Sequence, residues 1–222
     1  MISRKDLNLV ESSPSRRRDY FDRFFAQLDD RYSDFLSKYN KSLKQRNELL
    51  KSDSVGAQDV FSWDILLSKY GCELRKSRQK IVTEINEKLT EVYRSIAKNQ
   101  DKVSLEYLAQ DEILEESKYL ARLSSDFKKD HLLGYTSFGA HRDNYEFMFN
   151  GVVAEGSASR GETRSIILAL KFIEAELIFE KIHLKPVVLL DDVFSELDEV
   201  RQKSLVNNFK DNQVIITSVE KN

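Results

Sequence analysis

Residues 186–198 read PVVLLDDVFSELD, an apolar run that passes without a break into two adjacent carboxylates, Asp191 and Asp192. A short continuous run of Val and Leu marks a strand covered on both faces, which is the habit of parallel sheets. A helical stretch from about Glu199 to Phe209 follows, and then a second run of the same kind, QVIITS at 213–218. Strand, helix, strand in that order requires a parallel crossover, so this part of the chain belongs to an α/β architecture. The ligand site of an open parallel sheet lies beyond the carboxyl ends of its strands, where Asp191 and Asp192 stand.

The remainder reads as mostly helical. With 7 Gly and 2 Pro in 222 residues, the chain has few turn formers and room for long helices. Ser13-Pro14 opens a helix, with Ser at the cap and Pro at the first helical position, where a missing N–H costs nothing. Tyr20, Phe21, Phe24, Phe25 and Leu28 then recur at helical spacing and read as core. A second pattern runs through Tyr32, Phe35, Tyr39, Leu43 and Leu50, the polar break KSDSVGAQD interrupts it, and a third runs from about Val60 to Lys98. Two long helices joined by a short polar turn predict an antiparallel hairpin. A strand is expected at VSLEYL, 103–108, and one helix over about Asp111 to Lys129. Short strands and loops are expected from Gly134, and a long helix from about Gly161 to Lys181. The pattern predicts a mainly helical hairpin domain over 1–130 and an α/β lobe over 131–222.

Composition narrows the function classes. Lys and Arg number 35 against 37 Asp and Glu, so the field of the whole molecule gathers no nucleic acid and any such binding needs a local patch. Cys72 is the sole cysteine, which excludes an intramolecular disulfide and a cysteine metal cage and reads as small apolar filler. No stretch has the length or apolarity of a signal peptide or a membrane span, so the expected location is the cytoplasm, with no membrane partner.

A buried strand ending in two acids is the Walker-B arrangement, in which the first acid (Asp191) serves Mg²⁺ and the second (Asp192) orients or deprotonates the attacking water. Upstream, the small turn Ser159-Arg160-Gly161-Glu162 opens the long apolar helix of SASRGETRSIILALKFIEAELIFEKI, and its free N–H groups suit a phosphate oxygen. Each piece has an ordinary reading as well: an acid at a strand end caps the next helix, and the turn caps a core helix.

Taken together, the turn and helix, the acid-ended strand, SELD and the following strand end are similar to the C-terminal half of an ABC-type ATPase head: signature motif, Walker B, D-loop and switch position. Such heads more often carry Glu at the second acid and His at the switch, where this chain has Asp192 and Thr217 or Ser218. FGAHRDNYEF, SRGETRSIILALKFIEAEL, LLDDVFSELDEVRQKSL and QVIITS resemble the RecF family of bacterial DNA replication and repair proteins. DLNLVESSPSRRRDYFDRF and YNKSLKQRNELLK resemble that family's middle segment, although Ala140 and Asn144 stand where the family more often has Pro and Asp.

The resemblance implies binding of ATP and Mg²⁺, an ATP-dependent homodimer, recognition of DNA at single-strand/double-strand junctions, and action with RecO and RecR in loading RecA. It implies that Ser159, Arg160, Gly161 and Glu162 contact the γ-phosphate of a partner subunit in trans, and that Ser195, Glu196 and Asp198 lie at the dimer seam. Arg16, Arg17 and Arg18, with Lys41, Lys44 and Arg46 on the hairpin, are the cations it offers to DNA phosphates, against an ordinary solvated helix face. His141 and Arg142 are candidates for nucleotide or DNA proximity, or for structural hydrogen bonding. No GxxxxGK[ST] loop occurs, so residue 1 is expected to align downstream of the Walker-A loop and the chain alone to be an inactive half-site. A rival reading is a non-enzymatic DNA-binding or interaction module with relic motifs. A weaker one is a different relative, SMC-like or of the overcoming-lysogenisation-defect type.

Overall fold

The computed structural model describes residues 2–3, 6–191 and 193–217. Helix α1 (Pro14–Leu28) starts where the Ser-Pro pair predicts, with Ser13 Oγ accepting from the Arg16 amide at 3.4 Å, and buries Phe21, Phe24 and Phe25. Helix α2 (Asp30–Leu50) is capped by Asp29, whose carboxylate accepts from the Arg31 amide at 2.9 Å. Helix α3 (Ala57–Ala97) has 41 residues, about 60 Å of helix. Strand β2 (Val103–Leu108), helices α4 (Glu116–Ser125) and α5 (Phe127–Leu133), and strands β3 (Asn144–Phe149) and β4 (Val152–Val153) follow. The chain then forms α6 (Arg160–Ile182), β5 (Val188–Asp191), α7 (Glu199–Asn208) and β6 (Val214–Thr217); β1 is Ile2–Ser3. No helix among the described residues is long and apolar enough to cross a membrane.

The single helix expected over Asp111 to Lys129 is corrected to α4 and α5. The Asp111 and Ile113 carbonyls accept from Arg75 Nη1 at 3.3 and 3.2 Å, so side-chain bonds hold this stretch outside the helix. The chain divides into two compact units, and the expected single cut near residue 130 gives way to interleaved segments. One unit comprises Met1–Arg17, Val82–Glu106 and Tyr145–Asn222; the other comprises Arg18–Ile81 and Tyr107–Asn144. The reason lies in α3, which is long enough to furnish core residues to both.

In the first unit β1, β5 and β6 form a parallel sheet in the order β1-β5-β6, with Ile2 opposite Leu190 and Leu189 opposite Ile215. The crossover expected between the last two strands is present, made by α7. Strand β1 has two residues, too few to leave a sequence pattern. Helix α6 buries an unbroken stretch from Ser165 to Ile173, which is why its pattern is apolar all round rather than on one stripe. Strands β2, β3 and β4 form a second sheet. Asn150 and Gly151, with φ of 50° and 85°, make the two-residue turn between the antiparallel β3 and β4. Asn86 exchanges hydrogen bonds of 2.8 Å with both backbone groups of Leu105, and Thr90 does the same for Val103, so α3 side chains serve the backbone of β2.

In the second unit the contacts Arg46–Asp64, Phe35–Tyr70 and Tyr32–Arg78 run in opposite senses along α2 and α3, which is the predicted antiparallel hairpin. Its interior holds three arginines, each at most 1% exposed. Arg46 pairs with Asp64 and Asp130, Arg75 with Asp143, and Arg78 with Asp22. Cys72 is buried as predicted, and burial pushes its thiol up to about 11, away from reactivity.

Candidate nucleotide site

Asp191 ends β5 and Thr217 ends β6, and the parallel register sets them side by side. The Thr217 hydroxyl donates to Asp191 Oδ1 at 2.8 Å, with both residues exposed. A neutral hydroxyl at the end of one strand thus meets the carboxylate at the end of the next. Asp192 and Ser218, the other residues expected there, lie outside the described residues. Among the described residues no three His, Cys, Asp or Glu side chains converge on one point. Mg²⁺ needs no such cage, since it takes one or two carboxylates and completes its shell with phosphate oxygens and water. Asp191, exposed and hydrogen-bonded on one oxygen, fits that donor set.

Ser159 caps α6 through a reciprocal box: its Oγ accepts from the Glu162 amide at 3.3 Å, and Glu162 Oε2 accepts from the Ser159 amide at 2.6 Å. The box holds the turn expected at 159–162. Glu162 thereby occupies the Ser159 amide. A Cβ on Gly161 would lie 3.1 Å from Arg201 Nη2, so this position carries the α7 arginine against the turn.

The segment after β5 is tied to the same helix. Glu196, in the single turn Phe194–Glu196, accepts from Arg164 Nη2 at 2.5 Å. Asp198 caps α7 by accepting from the Arg201 amide at 3.0 Å and also binds the Arg201 guanidinium, and these bonds hold its carboxyl below the usual range. Arg201 Nε donates to Ser165 Oγ at 2.9 Å. Ser195 is exposed. Arg164 and Arg201, which sequence reasoning passed over, therefore join the 194–198 segment to α6. The available signal was spacing: Arg164 falls one turn after Arg160. Arg16, Arg160 and Arg164 line a groove of about 450 Å³ with Glu11, Ser12 and Thr163.

Two expected DNA cations are corrected to structural roles. Arg46 is fully buried, with Nε 2.5 Å from Asp64 Oδ1 and Nη1 2.7 Å from Asp130 Oδ2. Arg17 is 4% exposed, and its Nη1 donates to the Ser12 carbonyl at 2.6 Å. Arg18 is half-buried and donates to the Asp143 carbonyl at 3.0 Å; burial and the neighbouring Arg78 lower its pKa. Arg16 is half-buried, and Lys41 and Lys44 are exposed. His141 has the structural role: Nδ1 lies 2.8 Å from the Tyr39 hydroxyl and Nε2 lies 3.0 Å from the Thr136 carbonyl. Burial holds it neutral, with its pKa lowered to about 4.

A parallel sheet whose acid-ended strand neighbours a hydroxyl-ended one, fed by a buried helix that opens on a small capped turn, defines the C-terminal half of an ABC-type ATPase head. No family model matches the chain. It is 39% identical to the DNA replication and repair protein RecF of Agathobacter rectalis over 97% of this chain and 60% of that protein. It is 38% identical to the RecF of Clostridium acetobutylicum over 98% of this chain and 61% of that protein. A solved structure of the recombination mediator protein RecF-ATPrS in the RecFOR pathway superposes with a TM-score of 0.87 at 30% identity, covering 99% of this chain and 62% of the other. The corresponding RecF-ATP structure gives the same TM-score. The chain belongs to the RecF family, and it spans about 60% of the length of the curated relatives it matches.

Proposed function

We propose that this chain supplies one half of the ATP site of a RecF-type DNA replication and repair protein. The observation that carries this is the Asp191 carboxylate at the end of β5, hydrogen-bonded from Thr217 and otherwise open. Asp191 would hold Mg²⁺ beside the triphosphate, and the ion, when bound, supplies positive charge against the phosphate oxygens. Asp192 is the candidate to orient the attacking water. Ser159, Arg160, Gly161 and Glu162 close on the γ-phosphate bound by a partner subunit: the Arg160 and Gly161 amides donate, and the Ser159 hydroxyl proton remains available because its cap bond uses only the oxygen. Ser195, Glu196 and Asp198 then lie along the ATP-dependent dimer seam, with Arg164 and Arg201 as positioning residues. Such a protein binds DNA at single-strand/double-strand junctions and acts with RecO and RecR to load RecA; Arg16, Lys41 and Lys44 remain candidates for phosphate contacts.

The test is sedimentation velocity on this chain mixed with full-length Agathobacter rectalis RecF, with and without ATP and Mg²⁺. ATP-promoted association that Ser159→Arg weakens supports the trans contact, because the substitution adds bulk at the phosphate and leaves the apolar helix intact. Association indifferent to ATP, or equal in the variant, leaves the turn as a capped core helix.

A further inference from the structure

We infer that Lys128, Lys129, Leu132, Tyr135 and Arg142 form a contact surface for single-stranded nucleic acid; this rests on the DNA-binding part of the proposed function and names where it acts. Helix α5 ends on Gly134 in the left-handed region, φ 71°, with the Gly134 amide donating to the His131 carbonyl and the Tyr135 amide to the Asp130 carbonyl, each at 3.2 Å. That turn sets Tyr135 directly beyond the last helical turn. The backbone there is held from inside, because the Asp130 carboxylate is buried and takes both Arg46 and the Ser137 amide.

The outer side is different in kind. Lys128, Lys129 and Leu132 share one exposed helix face by their spacing of three and four. Leu132 is 87% exposed, the most of any large apolar side chain among the described residues, and Tyr135 is 41% exposed. The Arg142 guanidinium lies over the Tyr135 ring at 4.9 Å. Neither lysine nor Arg142 pairs with a carboxylate among the described residues, while the aspartates close to them in the chain are engaged: Asp130 by Arg46, Asp126 by Arg122 and Asp143 by Arg75.

An aromatic ring and a guanidinium plane amid unneutralised cations match a strand whose bases are unstacked and whose phosphates run alongside. A duplex keeps its bases stacked and would use only the cations. A protein partner seated on Leu132 would leave the three charges unmatched unless it were acidic.

The experiment is fluorescence anisotropy of the whole chain with a labelled oligo-dT and a labelled blunt duplex, across a salt series. Tyr135→Ala is expected to weaken oligo-dT binding about 10-fold and leave duplex binding unchanged. Lys128→Gln with Lys129→Gln should weaken both ligands and flatten the salt dependence, by about 0.7 in the logarithmic slope per lost contact to a single strand. All three positions are on the surface, so circular dichroism should show an unchanged fold. If the parent binds DNA and the variants bind oligo-dT equally well, the surface is wrong and the DNA-binding reading survives. If the parent binds neither ligand, both fall. Concentration-dependent self-association removed by Leu132→Glu, with oligo-dT binding untouched, overturns the proposal in favour of a protein contact.

Discussion

Arg75 holds both carboxylate oxygens of Asp143, Nε to Oδ2 at 3.0 Å and Nη2 to Oδ1 at 2.8 Å, with neither side chain exposed. Tyr107 donates to the same carboxylate. Removing the Asp143 charge leaves the buried guanidinium with only the part-exposed Asp111, 3.2 Å from Nη1, as a carboxylate partner among the described residues. Asp143→Asn is therefore expected to lower stability by about 3–5 kcal/mol, read from urea midpoints. A loss below about 1 kcal/mol would show that the pair is not the anchor of this loop.

His141 gives the second unit a pH dependence. Burial lowers its folded pKa to about 4, below the ordinary 6.5, so between those values the unfolded chain binds more protons than the folded one. Stability contributed by the neutral ring is full above pH 6.5 and is lost as pH falls toward 4, by on the order of 3 kcal/mol at most. His141→Gln should remove that slope in melts recorded from pH 7 to pH 4.5; an unchanged slope would assign it to other groups.

Gly139 sits at φ 136°, where an added Cβ would lie 2.5 Å from the Tyr39 hydroxyl and 2.6 Å from that of Tyr119. Gly139→Ala should cost about 3 kcal/mol from strain and overlap together. The same substitution placed on Tyr39→Phe and Tyr119→Phe should cost less, because the obstructing oxygens are gone. Equal cost in both backgrounds would refute the steric account.

The Arg164–Glu196 pair is about one-third exposed on each side, so its contribution to stability is small. Glu196→Gln should change the unfolding free energy by less than about 1 kcal/mol. On the proposed dimer contact it should nevertheless reduce ATP-promoted association with full-length RecF, because the 194–198 segment keeps only the Arg201 link to α6 at full strength. Unaltered association would leave the pair as surface decoration.

The strands and helices of the α/β part were legible because each announces itself locally: an apolar run ended by acids, a Ser-Arg-Gly turn before an apolar helix. The acid at the end of β5 followed from the apolar run before it, while the hydroxyl beside it came only from the resemblance, as Thr217 or Ser218, and the register selects Thr217. What stayed hidden depends on distance along the chain. Arg46 looked like one of several cations on a helix, yet Tyr32, Tyr39, Ser42 and Leu50, the buried positions of α2, place residue 46 on the same stripe. Apolar periodicity passes over a charged residue, and the partners Asp64 and Asp130 are 18 and 84 residues away. For the same reason Arg17 read as solvated, although its carbonyl partners lie five and seven residues upstream.

The interleaving of the two units sets an order of assembly during translation. Every residue of the hairpin-bearing unit has been made once Asn144 is added, whereas Ile2 must wait for Leu190. At roughly 5–20 residues per second that wait is about 10–40 s. In ribosome-bound chains, protease resistance should therefore arise first in the interior segments, and the pairing of β1 with β5 should protect β1 only later.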